Sequence, residues 1–391
     1  MANSPRRLRV AILTARVPAA DGTGDQLRAH QFATALSARH DVTVLTTGAG
    51  HATRQASPAA RIVQVPCGRL DRVRGALGAL LRGQPMQVGW MTPGRAWREL
   101  VRHAAGFDVA LVVTVRSLRG PLSVPFAIDH VDALSLNMRR RSRGQEPWPL
   151  RLVLRCEAPL LARYERRIVR RAAAQLVISD SDAAALPAAP PPVVLPNAVA
   201  VAERVADQER DIDVMFTGNM RYPPNVDAAR WLTREIAPAI RRRRPQTSFA
   251  IVGRSADLLD VPDWMEVHSD VPSLADYLVR ARTAVVPLRL GTGAPNKVLE
   301  AIAAGAVVVG TSDALAPFSL PPGVAAEADT TDALADAVLG LLSDPAGLEA
   351  RREAGSEQLV RFTPAALRTA LERIIDEVES SAPAHPSSEG A

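Results

Sequence analysis

The densest set of candidate ligand-binding residues lies in Pro287–Gly310, PLRLGTGAPNKVLEAIAAGAVVVG. Gly291 and Gly293 carry no Cβ, so the backbone from Gly291 through Thr292 and Gly293 to Ala294 can turn sharply and approach a ligand. Pro295 suits the first turn of a helix, where a missing N–H costs nothing. The free N–H groups of such a turn, together with the helix dipole, attract anions. Lys297 and Glu300 are three residues apart and share one face of that helix. A cation near phosphates with an acid beyond it fits a nucleotide that carries a ribose. Lys297 is also the only lysine among 47 Lys plus Arg residues. An ammonium binds phosphate as a compact point charge, whereas a planar guanidinium needs more room. The plainer alternative is a solvated lysine on an exposed helix face.

The run PNKVLEAIAAGAVVVG resembles the signature of the retaining family 4 glycosyltransferases, Lys, two apolar residues, Glu-Ala, then a small-residue turn and a buried strand. The resemblance implies a GT-B fold, α/β, with two Rossmann-like domains facing across a cleft. It implies a nucleotide-sugar donor, most often a UDP-sugar, and no cofactor or metal. By resemblance Glu300 holds the ribose hydroxyls and Lys297 faces the diphosphate. The family's first Glu, eight positions before the second, is replaced here by Thr292.

Composition narrows the class. A length of 391 residues fits two domains, and 47% hydrophobic content is enough for packed cores. Cys67 and Cys156 lie far apart and give neither a disulfide framework nor metal-ligand spacing. The N-terminal run MANSPRRLRVAILTAR does not read as a signal peptide, and no segment reads as a membrane span, so a cytoplasmic setting is expected. The net charge is +6, with Arg clusters at Arg139–Arg143, Arg163–Arg171 and Arg241–Arg244. These are either solvated helix faces or a peripheral contact with anionic lipid. Aromatic residues are not interleaved with them, which argues against single-stranded nucleic acid as a partner.

The elements that must position the anchor alternate between strand and helix. Leu8–Leu13 reads as a strand, followed by the glycine loop DGTGDQLR, a helix through Leu36 and a second strand at Val42–Leu45. That unit opens a Rossmann-like half, and Asp25 and Arg28 are candidates to face the ligand. Asp25 as a helix cap and Arg28 as a solvated side chain is the competing reading. Further strands are expected at Arg61–Val65, Val109–Val113, Pro125–Asp129 and Gln175–Ser179. The strand ending in Asp129 delivers His130 and Asp132 towards a ligand crevice, where the imidazole would bond a sugar or phosphate. Asn137–Glu146 reads as a polar loop and Pro149–Ala172 as a long basic helix. The proline-rich run Leu186–Pro196 marks the exit from residues 1–196.

The second half, residues 197–363, restarts the alternation. Pro196-Asn197-Ala198-Val199 resembles the family's Pro-Asn-Gly-Val, and a polar linker follows at Val201–Asp211. Val214–Thr217 is a strand, then Gly218-Asn219-Met220-Arg221 and a helix over Asn225–Ile240. By resemblance Gly218 and Asn219 lie beside the donor diphosphate, with Arg221 as a further cation. Phe249–Gly253 and Thr283–Pro287 read as strands, and the loop Ser269-Asp270-Val271 sits where the family reads the nucleotide base. Asp211-Ile212-Asp213 at a strand entrance reads as structural, not as a metal-binding pair. A final helix at residues 364–379, which in GT-B proteins often crosses back, precedes a small polar tail at 380–391.

The favoured reading is thus a glycosyltransferase that binds a nucleotide-sugar donor in its second domain and an acceptor (a glycan, a lipid-linked sugar or a natural product) in its first. Lys297, Arg221 and His130 are the catalytic candidates, and transfer with retention is expected. A sugar-nucleotide epimerase or a phosphorylase fits the lysine–glutamate helix less well. A non-catalytic nucleotide-sugar-binding or partner subunit is the alternative, prompted by Thr292.

Overall fold

A computed structural model of the chain describes residues 6–48, 60–143, 147–200, 209–290 and 293–381. The chain forms two units, Met1–Asn197 together with Leu367–Ala391, and Ala198–Ala366. The linker residues 201–208, the tail 382–391, and Gly291 and Thr292 of the anchor lie outside the described residues.

The first unit is built on a seven-stranded parallel sheet. Its strands are β1 (Arg9–Thr14), β2 (Asp41–Thr46), β3 (Arg61–Gln64), β4 (Val109–Val113), β5 (Phe126–Asp129), β6 (Ala174–Val177) and β7 (Pro192–Val194). They lie in the order β3-β2-β1-β4-β5-β6-β7. All five residues of β4 are buried. This is the continuous apolar run expected of a parallel strand covered on both faces. The order reverses between β1 and β4, and ligands of such sheets bind beyond the carboxyl ends of the strands at that point.

The second unit repeats the plan with six parallel strands. These are β8 (Ile212–Thr217), β9 (Phe249–Gly253), β10 (Glu266–Ser269), β11 (Ala281–Val286), β12 (Val307–Gly310) and β13 (Ala325–Glu327), in the order β10-β9-β8-β11-β12-β13. Alternate residues of β8 go to opposite faces. Val214 and Phe216 join one core, and Met215 joins the other with Val252, Val286 and Val308. Both faces are therefore buried, and the reversal between β8 and β11 sets where a ligand can sit.

Several expectations are corrected. Leu134–Arg143 is a helix where a polar loop was expected, and it packs along the Trp148–Val169 helix, with Arg151 Nε donating to the Ser142 carbonyl at 3.3 Å. The proline-rich exit contains β7, an edge strand that begins at Pro192, a position where no ladder N–H is needed. The helix expected over Asn225–Ile240 is interrupted by a π turn at Leu232–Ile236. Pro238, just beyond that turn, has no N–H to give to the preceding turn. Helices at Arg69–Leu80, Met86–Met91 and Gly94–Ala104 were not foreseen. The final helix, Pro364–Ser380, contributes to the first unit, where Asp376 pairs with Arg39 at 3.0 Å and Glu379 with Arg6 at 3.1 Å.

The Arg241–Arg244 cluster is not a free basic patch. Arg241 lies over the Trp264 ring, Arg243 pairs with Asp336, and Arg244 donates to the Leu342 carbonyl at 2.9 Å. Asp211 pairs with Arg280, its Oδ1 accepting from Nε at 2.9 Å, and Asp213 accepts from the Ser248 N–H at 3.1 Å. Among the described residues no cluster of His, Cys, Asp and Glu could hold a metal ion, and no helix is long and apolar enough to cross a membrane.

Candidate functional site

In the second unit the site is assembled by loops that leave the carboxyl ends of neighbouring strands. After β11 the chain reaches Gly293 at φ 90, a conformation that favours glycine, and then the Asn296–Ala303 helix. Pro295 is the residue before this helix and not in its first turn, a one-residue correction. Val298, Leu299, Ala301, Ile302 and Ala303 are buried against the sheet. The helical repeat therefore puts Lys297 and Glu300 together on the other face, both half-buried.

Lys297 is held on three sides. Its Nζ donates to Asn225 Oδ1 at 2.8 Å and lies 4.4 Å from the centre of the Phe216 ring at the end of β8. Gly218 forms the third wall, for a Cβ there would lie 3.1 Å from Nζ and 2.9 Å from the Asn225 amide carbon. Asn225 is itself fixed, its Nδ2 donating to the Asn219 carbonyl at 3.0 Å. Gly253 at the end of β9 approaches so closely that a Cβ would come within 2.0 Å of the Gly218 carbonyl oxygen. Burial lowers the Lys297 pKa to about 7, against the opposing pull of Glu300. Burial likewise raises Glu300, and Lys297 holds it back.

A chain of hydrogen bonds links the loops after β8, β9 and β10. Exposed Arg221 donates from Nε to Ser255 Oγ at 3.0 Å, and the Ser255 N–H donates to Asp270 Oδ2 at 3.2 Å. Ser269 Oγ also donates to Asp270, at 2.8 Å, and this bond is the largest cause of that carboxyl's lowered pKa. Val271, the next residue, is half-buried against the core of the second unit. Lys297, Glu300, Gly218, Asn219 and Arg221 thus belong to one group of adjoining loops. The sequence reading missed Asn225, Phe216, Gly253 and Ser255. The available signal for Asn225 was its place at the start of a helix, just after two prolines.

The first-unit candidates behave differently. Arg28 and Asp129, expected to face a ligand, face each other at 0% exposure, with Nε 3.0 Å from Oδ2. Arg28 also donates to the Asn197 side chain at 3.2 Å and to the Leu195 carbonyl at 2.5 Å, so it clamps the end of the unit to β5. His130 is buried too, and neither ring nitrogen has a hydrogen-bond partner. Burial pushes its pKa down to about 4, while nearby Gln175 favours the charged form without making a well-formed bond. In this arrangement neither Asp129 nor His130 offers an atom to a ligand. Asp25 neither caps its helix nor stands free, for it accepts from Arg16 Nη1 at 2.9 Å and from Thr23 Oγ1 at 2.6 Å. Burial alone would raise its pKa, but Arg16, Arg116 and the Thr23 hydroxyl bring it below the usual value. Half-buried Asp132 accepts from Asn137 Nδ2 at 2.8 Å and is raised chiefly by burial.

The geometry of the second unit has a counterpart among known families. Residues 211–344 match the family model described as Glycosyl transferases group 1. The match covers about a third of the chain. It includes the Gly218 loop, Asn225, Lys297 and Glu300. No curated protein sequence matches the chain. Among solved structures the chain is similar to the sucrose-phosphate synthase of Thermosynechococcus elongatus, at 16% identity over 96% of this chain and 100% of that one, with a TM-score of 0.68. It is similar to Anabaena HepE in complex with UDP-glucose, at 12% identity over 95% and 100% of the two chains, with a TM-score of 0.66. WaaG, a glycosyltransferase involved in lipopolysaccharide biosynthesis, aligns at 15% identity over 94% and 99%, with a TM-score of 0.65. Identity at this level speaks to the fold, which is the α/β GT-B fold of two parallel-sheet units. With the family match over residues 211–344, the chain is a transferase enzyme.

Proposed function

We propose that the chain is a retaining family 4 glycosyltransferase that moves a sugar from a UDP-sugar to an acceptor hydroxyl. The observation that carries this reading is Lys297, a half-buried ammonium fixed by Asn225 at 2.8 Å beside the Gly218 loop. Charge develops on a diphosphate as it leaves, and a fixed cation in a partly desolvated site stabilises that charge. A lysine in this role takes the electrostatic part that a divalent cation could otherwise play. Glu300, on the same helix face, is placed to accept from the ribose hydroxyls. Thr292 would contact the donor sugar in place of an acid, and the Ser269–Val271 loop would read the base.

In this scheme the bond from the anomeric carbon to the diphosphate oxygen breaks, and the diphosphate keeps the electron pair. The acceptor oxygen attacks from the same face, and its proton passes to the departing phosphate oxygen. Retention follows without a covalent intermediate.

The test measures UDP affinity and UDP-glucose hydrolysis in the wild type, Lys297→Met and Glu300→Gln. Lys297→Met should cut turnover about 10²–10³-fold. It should also weaken binding of UDP, which carries the charge that develops as the diphosphate leaves, and weaken UDP-glucose binding far less. Glu300→Gln should weaken UDP binding by about 1.5–3 kcal/mol. UDP binding without hydrolysis by the wild type, for every UDP-sugar offered, would point instead to a binding subunit. Full activity of Lys297→Met would remove the proposed mechanism.

A further inference from the structure

In the first unit the loops after β1, β4 and β5 leave the carboxyl ends of three neighbouring strands. Two of these loops hold backbone in a conformation that their side chains resist. Thr114, just after β4, sits at φ 64, and Val131, just after β5, at φ 66. Both are β-branched, and a positive φ is a true outlier for such residues. Strain of this kind persists only where the surroundings enforce it, and it clusters at ligand sites.

The strained turn after β4 presents Arg116. Thr114 leads into the short turn Val115–Ser117. Ser117 Oγ donates to the Val113 carbonyl at 2.6 Å and accepts from the Ala15 N–H at 2.9 Å. Thr92 Oγ1 donates to the Arg116 carbonyl at 2.8 Å. These bonds tie the turn to the end of β1, so Arg16, next to Ala15, and Arg116, next to Ser117, are held near each other. Burial lowers the Arg116 pKa, Asp25 and Asp132 oppose that shift, and the charge of Arg16 adds to it.

The carboxylates around these two cations already accept from protein donors. Asp25 accepts from Arg16 Nη1 at 2.9 Å and from Thr23 Oγ1 at 2.6 Å. Asp132 accepts from Asn137 Nδ2 at 2.8 Å, and burial raises it, which weakens its pull on a cation. Beyond Asp132, Glu165 accepts from the Ser135 N–H at 3.1 Å and Asp182 from the Ala133 N–H at 2.9 Å. Half-buried Arg116 differs from all of them. Among the described residues its guanidinium makes no hydrogen bond and no ion pair. Its N–H donors therefore want an acceptor that the protein does not supply.

We propose that the acceptor in the transfer described above carries an oxyanion, a carboxylate or a phosphate, and that Arg116 binds it with Arg16 alongside. The ligand's role as acceptor rests on the glycosyltransferase reading. An oxyanion only accepts, and it matches the planar fork of a guanidinium with two parallel bonds. A neutral hydroxyl fits less well, since it must also place its own hydrogen on an acceptor. Asp25 does not repel the anion strongly, because Arg16 neutralises it at 2.9 Å. Arg116 is thus the determinant of acceptor charge at the carboxyl end of β4.

The experiment is titration calorimetry of the full chain, without donor, against glucose, glucuronate and glucose 6-phosphate. These sugars share a ring and differ at one carbon, which bears a hydroxymethyl, a carboxylate or a phosphomethyl group. At least one charged sugar should bind about ten- to a hundredfold more tightly than glucose, the range of a charged hydrogen bond. The tighter of the two identifies the oxyanion. Arg116→Gln should bring both charged sugars to the level of glucose, and Arg116→Lys should recover only part of the preference, because it keeps the charge without the fork. Arg16→Gln, on a different loop, should reduce the same preference severalfold. Urea unfolding midpoints accompany each variant, since a purely structural Arg116 would lower the midpoint and leave the preference intact. The inference falls if the wild type binds none of the three sugars, or binds glucose as tightly as the charged ones. It falls equally if folded Arg116→Gln keeps the preference. A separate UDP titration distinguishes the two readings. UDP binding beside any of those failures leaves the donor site standing, whereas charged-sugar binding without UDP binding removes the donor reading and keeps the anion site.

Discussion

The titration of Lys297 gives a quantitative test of the donor site. Free, its ammonium titrates at about 7, because burial disfavours the charge more than Glu300 restores it. A bound diphosphate would bring negative charge to the amine and raise that pKa. Binding should therefore take up a proton, about half a proton per site at pH about 7 and about 0.9 at pH about 8. Above the free pKa, affinity should fall as pH rises. Between pH about 7 and about 9 the fall should be about 50-fold, or roughly 2.3 kcal/mol, while the bound pKa stays well above that window. Titration calorimetry with UDP in two buffers of different ionisation enthalpy measures the proton count, and the same titrations give the affinity. Lys297→Met should abolish the proton uptake and flatten the profile. Zero uptake in the wild type, or a flat affinity from pH about 7 to about 9, would refute the placement of Lys297 against the diphosphate.

Three further outcomes follow from the geometry. Gly218→Ala puts a Cβ 2.9 Å from the Asn225 amide and 3.1 Å from Lys297 Nζ. A displacement of this kind should cost about 10²-fold in UDP-glucose turnover with the circular dichroism spectrum unchanged. Arg28→Leu strands the Asp129 carboxylate at 0% exposure, which should cost about 3–5 kcal/mol in urea unfolding and be relieved by adding Asp129→Leu. His130 has a folded pKa of about 4 against an ordinary 6.5, so the unfolded chain binds more protons between those values. Stability should accordingly fall as pH drops through that window, by about 3 kcal/mol from this group. His130→Phe should lose less stability than wild type between pH about 7 and about 4, as measured by urea midpoints.

The alternation of buried strands and helices is legible in the residue order alone, because a parallel strand covered on both faces must be apolar throughout, as β4 is. The residue order also placed Lys297 and Glu300 on one helix face, since that depends only on helical spacing. Glycines at the strand ends marked the tight loops for a similarly local reason. What it did not show was partnership between distant residues. Asn225 and Lys297 are separated by 72 positions, and Arg28 and Asp129 by 101. Only the sheet order brings such pairs together, and burial then decides whether a charge serves a ligand or another side chain. Arg28 and Asp129 look like site residues in sequence because type and strand position match a crevice. The tertiary structure instead removes both from water and pairs them. The outward leucines of Arg69–Leu80 were hidden in the same way. An apolar stripe reads as core in any sequence, and only the close packing of Gly75 on Gly89 turns it towards solvent.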